Sequence, residues 1–236
     1  MRLLIICLLL LAGHNVFAQE SVILTPNNTV TFRGAVNPDS VNSAQLKLAQ
    51  LVVQRGLSNY PIYLVLDSPG GSIDAGLSFI EFAKTVKNLK TITIFAASMA
   101  SAIAEQLPGE RLMLETGTFM FHRAYGGVEG YFEDGELEER LAYSKSIVRL
   151  METKNAQRLS ITLDAYKAKV RNEWWAFGSD AIKQKMADKI VSVKCSPELS
   201  AQKTVVEVNM LFFRAKVQYS NCPLMRTGTV LLPNKE

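Results

Sequence analysis

Pro61-Ile62-Tyr63-Leu64-Val65-Leu66-Asp67-Ser68-Pro69-Gly70-Gly71-Ser72 is a nearly all-apolar run that ends in an acidic, glycine-rich break. Parallel strands covered on both faces read this way, because neither side of the strand needs water. The Pro-Gly-Gly step stops the strand, and apolar spacing predicts a helix over roughly 73–86. The pattern then repeats. Thr91-Ile92-Thr93-Ile94-Phe95 is β-branched and apolar, Ala96-Ala97 is small, and Ser98 opens a second helical stretch. Strand, small-residue turn and helix, twice over, predict an α/β fold of βαβ units around a parallel sheet.

Working outward, Thr29-Val30-Thr31-Phe32-Arg33-Gly34 reads as a short strand closed by glycine, and Asn37-Pro38-Asp39-Ser40 as a turn and helix cap. Leu46, Leu48, Leu51 and Val52 give residues 43–54 a helical period. A β-rich stretch over 111–122 follows the second helix. Residues 134–160 form a long, charged helical pattern, with Glu136, Glu138, Glu139 and Arg140 outward and Leu137, Leu141, Ile147 and Leu150 on another face. Such a helix projects from a small domain or packs on a neighbour. Helices are predicted over 163–170 and 179–186, and a strand near 189–193. The tail from Ser196 fits helix and strand periods equally.

The chain has 236 residues, 48% of them hydrophobic, which suits one compact domain with a terminal addition. Residues 1–18 read as a secretory signal peptide. Arg2 supplies the positive start, 3–12 is an apolar run too short to span a bilayer, and Val16-Phe17-Ala18 precedes a cleavage point at Gln19. An uncleaved anchor is the alternative. The organisation expected is therefore a leader (1–18), a main domain (19–193) and a C-terminal extension (194–236). The mature protein is expected to be exported, periplasmic or secreted, with no membrane segment after cleavage. Losing Arg2 takes the formal charge from +4 to +3, with acids interspersed among the lysines. That excludes a nucleic-acid partner on charge grounds.

Cleavage leaves two cysteines, Cys195 and Cys222. An even count in an exported chain predicts a disulfide, here pinning the tail and contributing about 3–4 kcal/mol in the chain-entropy model. Two free thiols are the alternative. No Cys/His spacing suits zinc, and nothing calls for a metal or another cofactor.

Ser98 lies where a strand meets the first turn of a helix, and converging N–H groups there favour developing negative charge. A serine hydroxyl needs a base to become a nucleophile. The chain has two histidines, His14 in the leader and His122. His122, at the end of a predicted strand, is thus the candidate base. Gly70-Gly71 ends the preceding strand at the same edge of the sheet, where α/β proteins place their sites. Glycine there lets backbone N–H groups approach an oxyanion. Lys145 and Lys154 are the lysines available for a Ser-Lys alternative.

Ser68-Pro69-Gly70-Gly71-Ser72, Ala96-Ala97-Ser98-Met99-Ala100 and Phe119-Met120-Phe121-His122, in this order, resemble the Clp protease proteolytic subunit (ClpP) family. The resemblance runs from about Val30 to about Val193. It implies a crotonase-like α/β spiral with a protruding handle helix at 134–160. It implies serine endopeptidase activity with Ser98 as nucleophile, His122 as base, and the N–H groups of Gly71 and Met99 as oxyanion hole. The third catalytic position aligns with Glu173, where the family carries an aspartate; Asn172 is the alternative. The resemblance also implies a homo-oligomeric ring, heptameric in the family, and peptides or unfolded polypeptides as substrates. Two departures argue against a Clp ATPase partner: the leader sends the chain to a compartment without ATP, and the segment before the first strand is short. An ATP-independent peptidase is expected. A non-catalytic assembly or peptide-binding protein, and an acyl-CoA enzyme of the same broad fold, are the competing readings.

Overall fold

A computed structural model describes residues 20–126, 131, 133–209 and 214–231. The leader read over 1–18 lies outside the described residues. The chain opens with β1 (Ser21–Leu24), β2 (Thr29–Arg33), α1 (Pro38–Arg55), β3 (Ile62–Ser68), α2 (Ile73–Ala83), β4 (Leu89–Ala97), α3 (Met99–Gln106) and β5 (Arg111–His122). It continues with α4 (Glu136–Arg158), α5 (Leu163–Lys169), β6 (Glu173–Phe177), α6 (Ser179–Lys183), β7 (Lys189–Ile190) and β8 (Ser192–Cys195). The tail holds α7 (Pro197–Ala201), β9 (Lys203–Asn209), β10 (Arg214–Ser220) and β11 (Thr229–Leu231).

The main sheet runs β2-β3-β4-β5-β6, with β7 also paired to β5. The steps from β2 to β5 are all parallel, as the repeated strand–helix pattern demands. Alternate residues of β3 go to opposite faces. Leu64 and Leu66 join the core under the helices, while Val65 joins a second core with Val22, Leu24, Ile92 and Leu199. Burial on both sides is why this strand carries no polar alternation. Each such side chain removed from water contributes about 1.5–3 kcal/mol.

The structure corrects the sequence reading in three places. β6 is a strand paired antiparallel to β5, so the sheet is mixed at that edge. Its buried residues, Trp174 and Ala176, alternate with exposed Glu173, Trp175 and Phe177. On α4, Leu141 and Leu150 are exposed, and burial is confined to Met151, Glu152, Asn155 and Ala156 in its last two turns. The first turns project, as a handle would. Finally, α1 starts at Pro38, earlier than its apolar period, because Asn37 and Ser40 form a reciprocal capping box.

The tail forms a three-stranded antiparallel sheet, β11-β10-β9. Cys195 and Cys222 are joined in a disulfide, with Cα atoms 5.8 Å apart. β8 is itself paired in parallel with β1, so the bridge ties the tail to the second core. Beyond Cys222, Arg33 donates to the Pro223 carbonyl (2.8 Å), and Arg226 donates to Asp67 at the end of β3 (2.6 Å). Among the described residues, no helix is long and apolar enough to cross a membrane.

Candidate active site

Ser98 sits between β4 and α3 with φ 55° and ψ −120°. A non-glycine residue there is strained by roughly 1–3 kcal/mol and persists only when its surroundings fix it. Here they do. The Ser98 N–H donates to the Met120 carbonyl on β5 (2.8 Å), and its own carbonyl accepts the first bond of α3 from Ala102 (3.2 Å). Ser101 braces the turn from below, its buried hydroxyl within reach of the carbonyls of Ala96 (2.7 Å) and Met120 (2.9 Å). A strained serine on a strand-to-helix elbow presents its hydroxyl outward at the sheet edge.

The glycine loop after β3 fits against this elbow. A Cβ added to Gly70 would lie 2.5 Å from the Ala97 carbonyl oxygen and 2.7 Å from the Met99 nitrogen, so only glycine passes. Gly71 forms an isolated bridge with Val36. That bridge uses the Gly70 carbonyl and the Ser72 N–H, and leaves the Gly71 N–H unused by it. The Met99 N–H belongs to the first turn of α3, where helix geometry supplies no acceptor. Two main-chain donors thus flank the serine.

His122 is the last residue of β5 and is half-buried. Its Nδ1 lies 2.6 Å from the carbonyl of Arg123. A carbonyl only accepts, so this contact requires the proton on Nδ1 and leaves the lone pair on Nε2. The Tyr125 ring packs beside the imidazole, 5.3 Å between centroids.

Ser98, His122, Gly71 and Met99 line one cavity of about 410 Å³. Met151, Asn155 and Tyr166 also line it, the last two linked by a hydrogen bond of 3.2 Å. Gln106 donates to Asn155 (2.8 Å). Burial raises the Tyr166 phenol to about 12, so its hydroxyl stays neutral. Sequence reasoning missed these three. Met151 and Asn155 stand four apart on α4, the spacing of one helix face, but the leucines pointed to a different face.

Glu173 does not join them at the cavity wall. It stands opposite His122 in the β5–β6 register, while its carboxylate accepts from the Trp175 indole (2.8 Å). Asn172 lies just before β6 and is exposed. Of the two lysines weighed as alternative bases, Lys145 lines a neighbouring groove and Lys154 a separate crevice beside Pro108, so neither reaches the Ser98 cavity. Among the described residues, no group of three or more His, Cys, Asp or Glu side chains is placed to hold a metal ion.

Comparison with known proteins gives the family. Residues 17–194 match the family model described as Clp protease. An ATP-dependent Clp protease proteolytic subunit from Borreliella afzelii (strain PKo) is 32% identical over 154 residues, covering 63% of this chain and 76% of the relative. That of Streptococcus gordonii is 26% identical over 172 residues, covering 72% of this chain and 87% of the relative. With an α/β fold, a serine elbow and a match spanning most of its length, the chain belongs to the Clp protease family, and its relatives support a protease activity.

Proposed function

We propose that the protein is an exported serine endopeptidase that cleaves peptides or unfolded polypeptides without ATP. The observation that carries this reading is the convergence of Ser98, His122 and the backbone of Gly71 and Met99 on one cavity. In this mechanism the Ser98 Oγ attacks the scissile carbonyl carbon while His122 Nε2 takes its proton. The carbonyl oxygen becomes an oxyanion facing the N–H groups of Gly71 and Met99. Collapse expels the amine, which leaves with the proton held by His122, and an acyl-enzyme remains. Water, deprotonated by the same nitrogen, then releases the acid and restores Ser98.

Glu173 is the acid we assign to orient the imidazole. In register with His122, its carboxylate would accept a hydrogen bond from Nδ1–H in exchange for its bond from Trp175, and the Arg123 carbonyl accepts that hydrogen bond meanwhile. A homo-oligomeric ring, as the family resemblance implies, gives the projecting part of α4 a neighbour. Exposed Leu150 is the apolar residue it would cover. The leader read over 1–18 supports export, and with it independence from an ATPase.

The test is hydrolysis of fluorogenic peptides and of an unfolded protein by the purified mature chain in ATP-free buffer. Turnover that disappears in Ser98→Ala supports the proposal. A folded, assembled protein that binds these substrates and leaves them intact would support the non-catalytic reading instead.

A further inference from the structure

A second opening, about 910 Å³, lies between α4 and the segment that leaves β5. It shares Ile73, Ala124 and Tyr125 with the Ser98 cavity, so the two are continuous. Its charge is predominantly positive. Arg123, Lys145, Arg149 and Lys167 line it, against the carboxylates of Asp74 and Glu152. Lys167 already faces Glu152 at 3.9 Å, and Asp74 sits in the first turn of α2, where the helix N-terminus stabilises it. That leaves Arg123, Lys145 and Arg149.

Several other cations of the chain are paired. Arg33, Lys84, Lys90, Arg111, Arg158, Lys183 and Lys189 each have a carboxylate within ion-pair distance. Among the described residues, Arg123, Lys145 and Arg149 have none. Lys145 and Arg149 are one turn apart on α4 and share a face. Arg123 directly follows the candidate base. A polypeptide leaving the Ser98 cavity along this groove would pass all three. A groove in which one sign of charge predominates concentrates and orients ligands of the other sign.

We propose that the groove is an extended substrate-binding surface that selects polypeptides carrying aspartate or glutamate beside the scissile bond. The proposal rests on the peptidase reading for the word substrate, but the binding it describes is measurable without turnover. Two fluorescent peptides with the same central sequence, one flanked by Glu-Asp and one by Gln-Asn, are titrated into the Ser98→Ala protein at low salt. The acidic peptide binds about tenfold more tightly, and the advantage shrinks in half-molar salt. Lys145→Glu/Arg149→Glu removes the advantage and favours a Lys-flanked peptide. Lys145→Gln/Arg149→Gln, which adds no new charge, also removes it and guards against misfolding of the reversal. Equal affinity for the two peptides overturns the proposal, as does an acidic preference that survives both double variants. Turnover is assayed separately on the wild type. Acidic preference without turnover keeps the groove and removes the peptidase reading, while turnover without preference does the reverse.

Discussion

His122 and Glu173 stand directly opposite one another across the β5–β6 pair, yet each is hydrogen-bonded elsewhere. The imidazole holds the Arg123 carbonyl, and the carboxylate holds the Trp175 indole. Opposed residues in an antiparallel pair have Cβ atoms only about 4.5–5.5 Å apart. An acid–imidazole pair therefore forms across the register once the two side chains give up these bonds. If Glu173 orients the base, Glu173→Ala lowers kcat about 10- to 100-fold, less than a full triad loss because the carbonyl remains. Asn172→Ala stays within about twofold. Trp175→Phe, which deletes the competing donor, leaves kcat at or above the wild-type value. Unchanged kcat in Glu173→Ala would show that the Arg123 carbonyl suffices.

Gly70→Ala tests the fit of the glycine loop against the serine elbow. The new Cβ would lie 2.8 Å from the Ser98 Cβ and closer still to two backbone atoms, at a φ of 88°. Backbone cannot yield as a flexible side chain does. The substitution should cost about 2–4 kcal/mol in denaturant unfolding and lower turnover by about two orders of magnitude through misplacement. Gly126→Ala, with nothing within 4 Å of its Cβ, is the stability control. Equal midpoints for the two variants would contradict the fit.

The two turns and the strands before them were legible in the sequence because their causes are local. An all-apolar run such as Ile62–Leu66 suits a doubly covered strand, and a small-residue stretch marks a close approach. Ser98 and His122 stood out for the same reason, one by its place after a strand and the other by scarcity. β6 was not read, although Trp174 and Ala176 alternate with polar or exposed neighbours, because five residues give too short a period beside two tryptophans. The tail hairpin was ambiguous because its valines fit either period, and long-range pairing of β9 with β10 decided it. The contact of His122 with a main-chain carbonyl carries no side-chain signature, so no motif could announce it.

The disulfide and the Arg226–Asp67 pair fasten the tail at two points. Asp67 is mostly buried and also accepts from Arg33 (3.3 Å), whereas Arg226 is largely exposed. Reduction, or Cys195→Ser/Cys222→Ser, should cost about 3–4 kcal/mol of unfolding free energy. Arg226→Ala should cost less than about 1 kcal/mol. Denaturant unfolding with and without reductant checks both. A reductant-insensitive midpoint would contradict the pinning role.

Glu105 predicts a pH dependence. Its side chain is fully buried on α3 and bonded to Arg111 at 2.5 Å, and burial raises its carboxyl to about 8 despite that guanidinium. Arg111 also binds Asp188 (2.6 Å); burial pushes that carboxyl up, but the bonds from Arg111 outweigh it and hold it below the usual range. Between the ordinary glutamate value of 4.5 and about 8, the folded protein keeps a proton on Glu105 that the unfolded chain gives up. Stability therefore falls as pH rises through this window, by up to about 1.4 kcal/mol per pH unit. Glu105→Gln mimics the neutral acid and should lose that slope while staying near wild-type stability at pH 6. Parallel stability curves from pH 6 to 9 would contradict it.

Covalent labelling addresses the serine most directly. The mature, assembled protein is treated with a fluorophosphonate, and intact mass and peptide mapping locate the adduct. One adduct on Ser98, absent from Ser98→Ala and slowed by several orders of magnitude in His122→Ala, is the predicted result. No adduct on Ser98 of the folded wild-type protein, or labelling that proceeds equally well without His122, would contradict a nucleophile activated by that imidazole.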